Sequence, residues 1–70
     1  MKSILFRFER WDDIEDLMEN IYLLDMIKNE EIKVRTNKKQ NTFKVYFTEI
    51  SDYYTVHAVF DLVSTYVFYN

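Results

Sequence analysis

Hydrophobic and polar residues alternate at the start of the chain, which is the pattern of a strand with one buried face. Over residues 2–9, Ile4, Phe6 and Phe8 fall on one side. The same alternation returns over residues 31–36 and 42–48, and the polar residues 37–41 between these stretches have the length of a hairpin loop. The pattern therefore predicts three strands, of which the last two form a hairpin.

Between the first two strands the apolar spacing changes to three and four residues, which predicts a helix. Asp12 is its predicted N-cap, with Glu15 three residues further on. Asn29 is the predicted left-handed residue after the helix, because the chain has no glycine. The predicted apolar stripe of this first helix consists of Ile14, Leu17, Met18, Ile21 and Leu24.

A second helix is predicted after the hairpin, with Ser51 as N-cap and Asp52 in its first turn. Its predicted apolar stripe consists of Tyr53, Val56, Val59, Phe60, Val63 and Val67. Tyr66 to Tyr69 is rich in residues that favour strands. This last stretch either continues the helix or forms a short fourth strand.

The order β-α-β-β-α, with or without a final strand, predicts an α+β fold. We expect a ferredoxin-like or related two-layer sandwich with helices on one face of an antiparallel sheet. The alternative is an open three-stranded sheet with two helices, in which strand one is an unpaired edge. Because the chain has 70 residues, we expect residues 1–70 to form a single domain.

Composition excludes several classes of function. The chain has no Cys and one His, which argues against disulfides and zinc sites, and no Gly, which argues against phosphate-binding loops. No nucleophile or acid–base pair is recognisable, so we expect no enzymatic activity, no metal and no cofactor. Apolar runs are far shorter than the roughly 20 residues that span a bilayer. We therefore expect a cytoplasmic protein that does not enter membranes.

If the strand pattern is correct, one sheet face is basic. The residues expected on it are Arg7, Lys33, Arg35, Lys44 and Tyr46. Acidic residues concentrate on the first helix, so the formal net charge of −3 conceals a separation of charge. A basic sheet with an aromatic residue is typical of single-stranded nucleic-acid binders, but it equally suits an acidic protein partner or simply keeps the sheet soluble.

Both predicted helices also have apolar residues on the side away from the predicted core. These candidate partner-binding residues are Tyr22, Leu23, Met26, Ile27, Ala58 and Leu62. A contiguous exposed apolar patch indicates a partner surface or self-association. In the alternative interpretation, the first helix kinks after Asn20 and turns its share of these residues into the core.

Two stretches carry a family resemblance. Residues 4–17, ILFRFERWDDIEDL, resemble the opening of the C-terminal domain of MecA-type adaptor proteins, and FKVYF at 43–47 followed by ISD at 50–52 is similar to its later strand and capped helix. The resemblance implies a module that docks on a Clp-family AAA+ unfoldase. The 70-residue sequence resembles only this C-terminal domain of the family, so an inhibitor is as natural an expectation as an adaptor.

Three functions stay open from the sequence. The first is a non-enzymatic protein-interaction module, acting as an adaptor, antagonist or regulator, and a phage or mobile-element inhibitor of a host protein belongs to this class. The second is nucleic-acid binding through the basic sheet face. The third is a homo-oligomer whose apolar helix faces pair with each other.

Overall fold

The computed structural model describes residues 2–67. Strand β1 is followed by two short helices, a hairpin of β2 and β3, and a longer helix α3. The bounds in chain order are β1 Lys2–Arg7, α1 Trp11–Leu17, α2 Ile21–Lys28, β2 Ile32–Asn37, β3 Thr42–Phe47 and α3 Tyr53–Ser64.

The three strands form one antiparallel sheet with β3 in the centre, in the order β1-β3-β2. Val45 of β3 lies opposite Ile4 of β1 and Val34 of β2, which fixes the register across the sheet. The turn between β2 and β3 is closed by the Asn37 side chain, which accepts a hydrogen bond from the backbone N–H of Gln40 at 3.2 Å. The predicted strands and hairpin are confirmed, with ends shifted by one or two residues.

The helices pack on one face of this sheet. Phe43 and Val45 are fully buried at the sheet centre, and the ring of Phe43 packs on the rings of Phe6 and Phe8 at centroid distances of 6.5 and 6.2 Å. The helices close this core from above with the buried side chains Ile14, Leu17, Leu23, Met26, Val59 and Val63. The molecule is therefore a two-layer α+β sandwich in which each strand buries alternate side chains.

The predicted single first helix is wrong, because the chain breaks between Leu17 and Ile21. Asn20 has an extended backbone with φ −67° and ψ 127°, and its side chain caps α2 by accepting from the N–H groups of Tyr22 and Leu23. This is the alternative in which the helix kinks at Asn20. The capping of α2 by an Asn side chain stabilises the break locally.

The break changes which residues of this segment reach the core. Leu23 is 1% exposed and Met26 is 7% exposed, whereas Ile21 and Leu24, which the pattern placed inside, are 71% and 44% exposed. At 100° per residue, a few non-helical residues rotate every later side chain to a different direction. The expectation that Leu23 and Met26 are surface residues is therefore wrong.

The predicted end residues of the first helix are also corrected. Arg10, not Asp12, is the N-cap of α1 and makes no side-chain capping bond, while its guanidinium donates to Asp12 Oδ2 at 3.0 Å. At the end of α2 the left-handed residue is Glu30, with φ 61°, and Asn29 stays at φ −82°. Asp12 instead lies in the first turn of α1, and the left-handed position comes one residue after the predicted Asn29.

Helix α3 begins one residue later than predicted. Asp52 is the N-cap and accepts from the N–H of Thr55 at 2.9 Å, while the Ser51 hydroxyl donates to the carbonyl of Glu31. Val59 and Val63 are buried as predicted, but Phe60 is 37% exposed and stacks edge-on against Phe6 at the β1 side of the sheet.

The predicted stretch Tyr66 to Tyr69 lies partly outside the described residues. Tyr66 continues from α3, and its N–H donates to the carbonyl of Val63 at 2.9 Å. Phe68 and Tyr69 fall outside residues 2–67. A fourth strand, and with it the complete ferredoxin-like order, stays a prediction. None of the helices in residues 2–67 has the length and apolar character needed to cross a bilayer.

The burial of Leu23 gives a direct test of the helix break. Leu23→Ala should lower the free energy of unfolding by about 3 kcal/mol, because it removes a fully buried side chain and leaves a cavity. Leu24→Ala, one position further on and largely exposed, should lower it by less than about 1 kcal/mol. Urea unfolding followed by circular dichroism measures both values. Equal effects of the two substitutions would contradict the observed phase of α2.

Candidate binding surface

The sheet face opposite the helices brings the predicted basic residues together. Side chains of a strand alternate between the two faces, so burial of Phe43 and Val45 places Lys44 and Tyr46 on the outer face. The register between β2 and β3 then places Arg35 opposite Lys44 and Lys33 opposite Tyr46. We call the outer-face residues Arg7, Lys33, Arg35, Lys44 and Tyr46 the basic sheet face.

The centre of the basic sheet face is an ordered pair. The Lys44 ammonium lies over the ring of Tyr46, 5.1 Å from its centroid, in a cation–π contact. Leu5 of β1 is the direct neighbour of Lys44 and is half exposed. The face therefore has a partly apolar centre with cationic side chains on both flanks.

No carboxylate lies within the strands that form this face, because β1, β2 and β3 contain neither Asp nor Glu. Within residues 2–67, Arg10 forms an ion pair with Asp12 at 3.0 Å, and His57 Nδ1 lies 3.2 Å from Asp61 Oδ2. The cations of the basic sheet face thus have no carboxylate partner among the described residues. Glu30 and Glu49 line the same shallow depression as Lys33 but form no ion pair with it.

The helix layer has the opposite charge. The first helical segment carries Asp12, Asp13, Glu15 and Asp16, and Glu19 follows in the break. Asp16 Oδ2 accepts a hydrogen bond from the Tyr66 hydroxyl at 2.9 Å, and this bond raises the pKa of Tyr66 above its ordinary value, with desolvation adding to the effect. Charge is therefore separated between the two layers, and the formal net charge of −3 describes neither face.

The predicted apolar partner surface on the helices does not form. Of its residues only Tyr22 is exposed, whereas Leu23 and Met26 belong to the core. The remaining three are half-buried and pack against the core; they are Ile27, Ala58 and Leu62. These side chains stabilise the fold and do not present a continuous apolar patch.

Other apolar side chains are exposed that the pattern had placed inside or left unassigned. The largest exposures are those of Tyr53 and Tyr54 at the start of α3, whose rings contact each other at a centroid distance of 6.1 Å. Tyr53 also contacts the ring of His57 at 5.9 Å. Tyr54 was expected on the outer side of this helix, whereas the prediction that Tyr53 belongs to the inner stripe is wrong. The sequence does not fix the rotation of α3 about its axis until its contact with the sheet is known.

His57 and Asp61 form the predicted pair one turn apart, and both side chains are mostly exposed. No group of three or more metal-ligating side chains occurs in this range. An open depression of about 560 Å³ lies between the end of β3 and α3, but its Ser51 and Asp52 side chains are already engaged in the hydrogen bonds described above.

Hydrogen bonds in the folded chain change the pKa of the Asp52 carboxyl group. The backbone N–H of Thr55 donates to its carboxylate at 2.9 Å, and the Thr55 hydroxyl lies 3.2 Å from the same oxygen. These hydrogen bonds favour the charged form and hold the pKa of Asp52 below its ordinary value, against a smaller opposing effect of desolvation.

Comparison of the chain with protein-family models, curated proteins and solved structures gives no match. The resemblance to MecA-type adaptors therefore stays a prediction. The candidate site rests on the geometry and charge of the sheet.

The lowered pKa of Asp52 predicts a pH-dependent contribution to stability. Because the folded pKa lies below the unfolded one, the contribution is complete above the ordinary value of 3.8 and disappears as the pH falls through the folded pKa. Asp52→Asn keeps a capping side chain but removes the charge. Its stability deficit relative to the unchanged chain should shrink when urea unfolding is repeated from about pH 5 to about pH 2. A deficit that does not change with pH would contradict this assignment.

Proposed function

We propose that this chain is a small non-enzymatic protein-interaction module that binds an acidic protein through the basic sheet face. The observation that carries the proposal is the sheet face opposite the helices, on which cations of all three strands meet and to which the strands contribute no carboxylate. Complementary charge across an interface raises the association rate and selects the partner. The predicted apolar helix surface no longer supports binding, since most of it is buried.

The face suits an acidic protein better than a nucleic acid. Single-stranded nucleic-acid binders stack bases on exposed aromatic rings, but here Tyr46 is half-buried and Lys44 lies over its ring. An acidic protein surface needs no such stacking ring, because its carboxylates pair directly with the cations. A local acidic patch on a folded protein contacts the sheet face alone.

The consequence of binding depends on the partner. Occupation of an acidic surface on another protein can deliver it to a third protein or block its own contacts, so adaptor, antagonist and regulator are all included in the proposal. A Clp-family unfoldase is the candidate partner that the MecA resemblance supplies, and a host protein inhibited by a phage or mobile element is the alternative. A ferredoxin-like topology of the whole chain belongs to the same proposal.

The proposal is tested with two labelled polyanions, polyglutamate and oligodeoxythymidylate, by fluorescence anisotropy at several salt concentrations. Polyglutamate should bind at low salt and bind more weakly as salt increases. Lys33→Glu should weaken binding about fivefold, since it replaces an attraction by a repulsion at a total cost of roughly 1 kcal/mol.

The matched control is Lys28→Glu. It makes the same charge change on the exposed side of α2, away from the sheet face, and should leave polyglutamate binding within about twofold. Equal losses for the two variants would show that only net charge matters and would contradict the proposed surface. Tighter binding of oligodeoxythymidylate with a steep salt dependence would instead support the nucleic-acid alternative.

A further inference from the structure

The β2 strand forms an open edge of the sheet. In the order β1-β3-β2, β2 hydrogen-bonds only to β3, and its other side has no strand among residues 2–67. Such an edge exposes a row of backbone N–H and C=O groups that can pair with another extended chain. The question is which residues point their backbone groups outward.

A hydrogen bond at the start of β2 shows which of its residues direct their backbone groups away from the sheet. The N–H of Thr48 donates to the carbonyl of Glu31 at 3.2 Å, which continues the β2–β3 register by one residue. Glu31 is therefore in a hydrogen-bonded pair, and by the alternation of antiparallel ladders so are Lys33 and Arg35. The alternate residues Ile32, Val34 and Thr36 direct their N–H and C=O groups away from β3.

The hydrogen bonding between β1 and β3 independently gives the same assignment of outward-directed backbone groups in β2. The N–H of Phe8 donates to the carbonyl of Asn41 at 2.8 Å, so the odd-numbered residues of β3 bond to β1. Its even-numbered residues, including Lys44 and Tyr46, must then bond to β2. Both observations give Ile32, Val34 and Thr36 outward-directed backbone groups, and Val34 and Thr36 are the two in the middle of the strand, beside Lys33 and Arg35.

The side chains next to these free backbone groups are cationic. Lys33 and Arg35 are both exposed, lie two residues apart and project from the same face of β2. An added strand places every second side chain beside them. Opposite charges at such cross-strand positions stabilise pairing, whereas like charges destabilise it.

We propose that the β2 edge binds an extended acidic peptide segment as a fourth strand, with carboxylates at alternate positions facing Lys33 and Arg35. This inference rests on the proposed function, because it names the binding mode of the acidic partner. Backbone groups of Val34 and Thr36 supply the hydrogen bonds, and the two cations supply the selection for acidic sequence.

Charge also favours an acidic peptide at the β2 edge over two alternatives, which are a second copy of the chain at β2 and an acidic strand at the β1 edge. A second copy pairing through β2 would set Lys33 and Arg35 beside the same cations, and this repulsion disfavours the dimer. At the other edge, the outward-facing backbone belongs to Ser3, Leu5 and Arg7, which offer a single cation to an acidic strand. The β2 edge is the one whose side chains match an acidic segment.

The test uses the isotope-labelled chain and a peptide of about eight residues that alternates Glu and Val, a length typical of a strand. Amide hydrogen exchange at Val34 and Thr36 should slow about tenfold when the peptide is added, because these N–H groups become hydrogen-bonded. A peptide of the same composition with its Glu residues in one block should give no such protection.

Thr36→Pro removes one outward N–H while leaving the bonds to β3 in place, since prolines are tolerated at such positions of edge strands. It should weaken binding of the alternating peptide at least about tenfold. Ser3→Pro is the matched control, because it removes an outward N–H from the β1 edge, and it should not change binding. If Thr36→Pro fails to fold, a chemically synthesised chain with an N-methyl group at Val34 replaces it.

The outcomes separate this inference from the proposed function. Chemical-shift changes at Lys33, Arg35 and Lys44 without slowed exchange at Val34 and Thr36 would overturn strand addition and leave face binding intact. Protection of Ser3 and Leu5 amides, or protection of β2 that depends on protein concentration without peptide, would also overturn it. Failure of both the alternating peptide and polyglutamate to bind would overturn both.

Discussion

The structure depends on the central position of β3. Phe43, Val45 and Phe47 all point into the core, where β1 and β2 flank them on either side. A strand that buries this face has to project Lys44 and Tyr46 outward, because successive side chains alternate. Alternate side chains of β3 therefore contribute to the hydrophobic core and to the basic sheet face. A shift of the strand register by one residue would exchange these two sets of side chains.

The start of β2 is held by a second set of contacts centred on Glu31. Its carbonyl accepts from the Thr48 and Ser51 hydroxyl groups, and its carboxylate accepts from the Thr55 hydroxyl at 2.8 Å. These bonds tie β2 to the end of β3 and to the first turn of α3. An edge strand fixed in this way loses little freedom when a partner pairs with it, which lowers the entropic cost of binding.

The sheet and its outer face could be predicted from the sequence, whereas the surface of the helices could not. Alternation in the strands is independent of the rest of the chain, so Lys33, Arg35 and Tyr46 were placed on the correct face before any tertiary contact was known. The direction of a helical side chain depends on all the residues before it in the same helix. The break before Ile21 therefore buries Leu23 and exposes Leu24, the reverse of the expectation. The open edge at Val34 required the strand order, which no local pattern contains.

The sequence by itself determined the order of the three strands along the chain, the inner and outer side of each strand, and the basic character of the outer sheet face. Each of these follows from a period of two residues and from residue charge, which are local properties. Tertiary structure decided the break at Asn20, because the break turns Leu23 and Met26 towards the core, where their apolar side chains are buried. It also decided which strand lies in the centre and which edges stay open, since these depend on contacts between residues far apart in the chain.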